Sequence, residues 1–135
     1  MRINDKIDEI ENYLLELDEI MPKSYKDYLE DKKTKAACER YFEKILESIV
    51  DLAFLIIKEK GFKTPEDDKN AFDILTYENI LSLDLSKKLK DAKGMRNILA
   101  QEYGKVDDSI VFESITEELI SDAKDFLILI KKLKF

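Results

Sequence analysis

The spacing of the apolar residues constrains this chain more than any other feature. Ile3, Ile7, Ile10, Leu14, Leu17 and Met21 follow one another at steps of 4, 3, 4, 3 and 4, with Asp and Glu filling the gaps. That is one face of an α-helix. Such a stripe packs on a bundle or forms a seam against a second chain. Met21-Pro22 stops the pattern, because proline cannot continue a helix. Ser24 is the predicted N-cap of the next one.

From Tyr25 to Lys60 there is no proline or glycine. The piece up to Lys35 is mostly polar. From Ala36 onward Tyr41, Ile45, Ile49, Leu52 and Ile56 recur at helical spacing, and Val50, Ala53, Phe54 and Ile57 widen the apolar surface. A helix apolar over most of its girth lies at the centre of a bundle or at a subunit interface. Asp51 is expected on the remaining polar strip with Lys44, Glu47 and Lys58. Cys38, Tyr41 and Phe42 read as core residues.

Gly61 closes this helix, and Thr64-Pro65-Glu66 reads as the N-cap and acidic first turn of a short helix to about Leu75. A loop near Asn79 to Asp84 leads to a helix expected to reach Tyr103 and to end at Gly104. Asp107-Asp108-Ser109 offers caps for a last helix carrying Val111, Ile115, Leu119, Ala123, Phe126 and Ile130. No repeat and no alternating strand pattern is present. The expected fold is all-α, one domain over residues 1–135, an up-and-down bundle of four to five helices.

Composition narrows the chemistry. The chain has 3 Gly, 2 Pro, 1 Cys and no His. A lone cysteine excludes an intramolecular disulfide, and without His the commonest metal ligand and general base are missing. No metal or cofactor is expected. Chemistry must run on carboxylates, Lys, Arg, Tyr or hydroxyls. The net charge of −7 does not attract nucleic acid over the whole molecule. No apolar run is of membrane length, and the opening residues do not read as a signal peptide. A cytoplasmic protein is expected.

The candidate site lies on the fourth helix. Its stripe is Leu85, Leu89, Ala92, Arg96, Leu99 and Tyr103, so a guanidinium falls where an apolar side chain belongs. It must be paired with a carboxylate from another helix, snorkel to solvent, or face a cleft. Around it lie Lys87, Lys88, Lys90, Lys93 and Lys105, either a solvated face or a landing strip for phosphate.

The run Gly94-Met95-Arg96-Asn97-Ile98-Leu99-Ala100-Gln101-Glu102-Tyr103 resembles the signature of the HEPN superfamily, in particular its HepT-like branch: Arg, four residues, His, one residue, Tyr. Glu39-Arg40-Tyr41 and the connection from Gly61 to Leu75 also resemble that branch. The resemblance covers roughly Thr34 to the carboxyl end. It implies a small helical bundle that forms a homodimer or higher oligomer, with the motif lining a cleft between chains. It implies a metal-independent ribonuclease acting as a toxin, paired with an MntA-type nucleotidyltransferase antitoxin that AMPylates the motif tyrosine. By position, Arg96 is the catalytic or phosphate-binding arginine, Asn97 its motif neighbour and Tyr103 the modified residue, with Lys93 in support. Gln101 stands at the motif His position and cannot exchange a proton near neutral pH. The alternative is a catalytically silent relative that still dimerises and still binds the nucleotidyltransferase. In one straight helix Arg96 and Tyr103 point the same way, whereas Arg96 and Gln101 diverge by about 140°.

Overall fold

The computed structural model of the chain describes residues 2–101 and 107–135, with the backbone alone for 100 and 101. Helix α1, Arg2–Ile20, buries Ile3, Ile7, Ile10, Leu14 and Leu17, and Met21 is half-buried just beyond it. Helix α2, Tyr25–Glu30, starts at Ser24, whose hydroxyl accepts from the Asp27 N–H at 3.2 Å. Its end is a correction to the sequence reading. The chain breaks at Asp31, which is extended (φ −101°, ψ 92°) and caps the next helix by accepting from the Thr34 N–H. The polar stretch is therefore two elements, and Tyr28 within it is fully buried.

Helix α3, Lys32–Lys60, is the central element. It buries Cys38, Phe42, Ile45, Leu46, Ile49, Leu52, Ala53 and Ile56. Gly61 ends it in the left-handed region (φ 72°), and the Phe62 N–H returns to the Ile57 carbonyl at 3.0 Å, a glycine-dependent closure. Tyr41 departs from the core reading: it is half-buried, and its hydroxyl donates to Glu16 of α1 at 2.8 Å.

Helix α4 is Asp68–Tyr77, so it begins later than Thr64-Pro65 suggested. Asp67 is the N-cap and accepts from the Asn70 N–H at 2.7 Å. A carboxylate held at the amino end outcompetes the earlier threonine. Helix α5 is Leu83–Gln101. Asp107 caps a final continuous helix made of α6 (Asp108–Glu113), a π-helical segment (Ser114–Leu119) and α7 (Ile120–Lys131). The predicted end of the fourth helix at Tyr103 and Gly104 lies outside the described residues.

Four long helices close a ring. α1 packs on α3, α3 on α5 and α5 on α7, and Lys131 of α7 reaches Glu11 of α1 at 3.1 Å. Contacts of α1 with α3 run in opposite senses, from Glu16–Tyr41 through Glu9–Ser48 to Lys6–Asp51, so the two are antiparallel. One hydrophobic core joins all of them, with Tyr28, Phe42, Phe72 and Phe126 its largest fully buried side chains. Among the described residues there is no strand, and no helix is long and apolar enough to cross a membrane. The all-α bundle expected from the sequence is the fold observed.

Candidate functional site

The α5 stripe turns inward as its spacing requires. Leu85, Leu89 and Leu99 are buried and Ala92 is half-buried. Arg96 occupies the remaining position, with its side chain 23% exposed. Its Nη2 donates to Glu47 Oε1 of α3 at 2.8 Å. Its Nε is buried and finds no acceptor among the described residues. One edge of the guanidinium is thus neutralised, while another donor remains unspent.

Lys93, one turn earlier, is only 12% exposed. Its Nζ donates to Asn97 Oδ1 at 2.8 Å and lies 3.3 Å from Asp68 Oδ2 of α4. The fold therefore brings Lys93, Arg96 and Asn97 together with two carboxylates, Glu47 and Asp68. The lysine run is largely paired: Lys90 holds Asp73 at 2.7 Å and Lys88 holds Asp84 at 3.1 Å. That pairing corrects the picture of an open basic strip: Asp68 and Asp73 of α4 face α5, and Asp84 of α5 itself takes Lys88. Gly94 faces α4 as well; a Cβ there would meet Lys69 Nζ at an ordinary 3.8 Å.

The polar strip of α3 takes one cation from each neighbour. Glu47 receives Arg96 from α5, and Asp51, one turn on, receives Lys6 from α1 at 3.6 Å. Lys6 also holds Glu9 at 2.7 Å, and this lysine keeps the Glu9 carboxyl below its ordinary range. A cleft of about 750 Å³ opens beyond Asp51, walled by Arg2, Phe54, Phe62 and Pro65. It lies next to the Arg96 cluster along α3 but contains none of Lys93, Arg96 or Asn97.

The Gln101 side chain and Tyr103 lie outside the described residues. In Glu39-Arg40-Tyr41, Glu39 holds Lys35, Arg40 holds Glu43 and Tyr41 holds Glu16, so this segment is not drawn to Arg96. Cys38 is fully buried, and burial pushes its thiol up to about 11, which keeps it inert. The sequence reading held a carboxylate from another helix as one of three outcomes for Arg96 and did not single out Glu47 or Asp68. The only signal for Glu47 was its place on the α3 polar strip. Asp68 was hidden by the early helix start assigned to Thr64.

Chemically, the cluster offers a guanidinium with free donor capacity, an ammonium–amide pair beside it, and carboxylates as proton acceptors. Each of the two cations already faces one carboxylate, Arg96 with Glu47 and Lys93 with Asp68.

Known proteins resemble this chain in sequence and in fold. Over 114 residues, 84% of this chain and 78% of the relative, the sequence is 27% identical to the tRNA nuclease HepT of Aphanizomenon flos-aquae. Over 89 residues it is 27% identical to the mRNA nuclease HepT of Shewanella oneidensis, covering 66% of each chain. The match to a relative from Archaeoglobus fulgidus, 32% identical over 72 residues, spans 54% of that protein's length. Among solved structures, the tri-AMPylated Shewanella oneidensis HEPN toxin in complex with an MNT antitoxin superposes with a TM-score of 0.89, at 21% identity and 97% coverage of both chains. The family described as ribonuclease HepT-like matches residues 7–131. A match over nearly the whole sequence, on the same all-α fold, places the chain in that family: it belongs to the ribonuclease HepT-like family.

Proposed function

We propose that this chain is the toxin component of a HepT-type toxin–antitoxin pair. In this reading it is a dimeric, metal-independent ribonuclease, and an MntA-type nucleotidyltransferase restrains it by AMPylating Tyr103. The observation that carries the reading is Arg96: a half-buried guanidinium on a core-facing stripe, held by Glu47 at 2.8 Å with its Nε unspent. RNA cleavage by the 2′-OH needs a proton acceptor, a proton donor for the leaving oxygen and a cation for the charge on phosphorus. Arg96 supplies the cation, with Lys93 and Asn97 flanking the phosphate. Gln101 orients but does not exchange a proton, so turnover is set about 10²–10⁴ lower than with a histidine there.

A second reading has its own support. The chain has no histidine, and Glu47 already meets one edge of the Arg96 guanidinium. A silent relative that dimerises, binds the nucleotidyltransferase and is modified at Tyr103 without cutting RNA fits those facts.

RNA cleavage by purified protein in EDTA separates the two. Wild type, Arg96→Ala and Gln101→His are compared, with AMP transfer to wild type and Tyr103→Phe as a parallel readout. The ribonuclease reading expects cutting by wild type, none by Arg96→Ala and faster cutting by Gln101→His. Cutting by Gln101→His alone assigns the natural protein to binding. No cutting by any form, with no AMP on Tyr103, rejects both.

A further inference from the structure

On the far side of the ring from Arg96, α1 and α7 enclose a shallow groove of about 380 Å³. Leu15 is 65% exposed at its centre on α1, and Ile128 is 54% exposed opposite it on α7. Leu15 is bracketed by Glu11 and Asp18, at −4 and +3. Ile128 is bracketed by Lys124 and Lys131, at the same −4 and +3. All six residues line the groove. The rims thus carry one pattern with opposite signs. Asp8 and Glu19 extend the acidic rim and Lys132 extends the basic one, whereas Asp125 opposes the pattern but does not line the groove.

We infer that this face is a docking surface for a second copy of the chain, related by a two-fold axis parallel to the two helices. Glu11 lies against Lys131 at 3.1 Å and Asp18 and Lys124 line the same groove; both hold only if α1 and α7 run antiparallel, with Asp18 toward Lys124. Rotation about an axis along the groove sets α1 of one copy on α7 of the other. Leu15 then meets Ile128, Glu11 meets Lys131 and Asp18 meets Lys124, each contact made twice, as an isologous interface requires. The other in-plane axis sets Glu11 against Asp18 and Lys124 against Lys131. That arrangement is opposed by like charges. The charge pattern therefore selects both the occupant and its orientation, and burying two exposed aliphatic side chains per copy drives closure.

The surface is separate from the α3/α5 face that holds Arg96, so the inference does not rest on the ribonuclease reading. A chain using both faces assembles as pairs of dimers.

Light scattering after size exclusion tests it on the full chain. Leu15→Lys sets a cation against the basic rim, and Ile128→Glu sets an anion against the acidic rim. Each is expected to halve the wild-type mass, and the double variant, which pairs the new charges, to restore it. Both positions are exposed, so the variants fold, as far-UV circular dichroism checks. Orientation is read from cysteine variants oxidised with diamide. A mixture of Leu15→Cys and Ile128→Cys proteins is expected to cross-link, and neither alone. Unchanged mass in both single-charge variants, or cross-linking of Leu15→Cys with itself, overturns the proposal.

Discussion

Arg96 shows how far a single residue can be read from a pattern. A charge on an apolar stripe announces that something must face it, because a buried unpaired guanidinium is very costly. Which carboxylate faces it is not local information: Glu47 is 49 positions away in sequence. Asp122 is the converse case. It sits in the last helix as an ordinary surface-type residue, yet it is only 8% exposed. Burial pushes its carboxyl up, Lys88 pulls it down, and Glu118, Asp125 and Asp84 add to the rise. The folded state therefore holds this proton more tightly than the unfolded chain, whose Asp titrates near about 3.9. Stability from this group is full below that value and falls as the pH rises through the folded-state value. Asp122→Asn is expected to melt at a higher temperature than wild type at pH 7, with the gain gone near about pH 3.5. Equal shifts at both pH values would remove the charge as the cause. Tyr28, whose buried hydroxyl finds no partner among the described residues, was equally invisible, because it sits in a short, mostly polar stretch with no apolar stripe.

At the scale of elements, caps decide where helices begin and neighbours decide what their charges do. Gly61 and Ser24 were legible because each cap is a local event within four residues. The start of α4 was not, since Thr64, Asp67 and the intervening proline all offer acceptable openings. The structure selects Asp67, with its carboxylate 2.7 Å from the Asn70 N–H. Asp67→Ala is expected to cost about 1 kcal/mol in urea unfolding and Thr64→Ala to cost close to nothing. The reverse order would restore the earlier helix start. The lysines of α5 teach the same lesson for charge. Read alone they are a basic strip, but Asp68 and Asp73 of α4 and Asp84 of the same helix meet three of them.

For the molecule as a whole, one core runs through all four long helices, from Ile3 to Ile130. A chain with a single shared core unfolds as one unit. Urea transitions followed by far-UV circular dichroism and by tyrosine absorbance are expected to coincide. Two separated transitions would mean that residues 1–135 are not one domain. With a net charge of −7, the molecule as a whole carries no positive field that would draw in nucleic acid, so the proposed function places the whole of that task on the few cations around Arg96. The sequence by itself determined the long helices, their inward faces and the candidacy of Arg96, because each follows from the 3.6-residue period and short-range capping, whereas the break at Asp31 and the start of α4 do not. Only the tertiary structure decided that Glu47 and Asp68 stand beside Arg96 and Lys93, and that Leu15 and Ile128 share one groove. Those pairings depend on how helices far apart in sequence are set side by side, which no local spacing records.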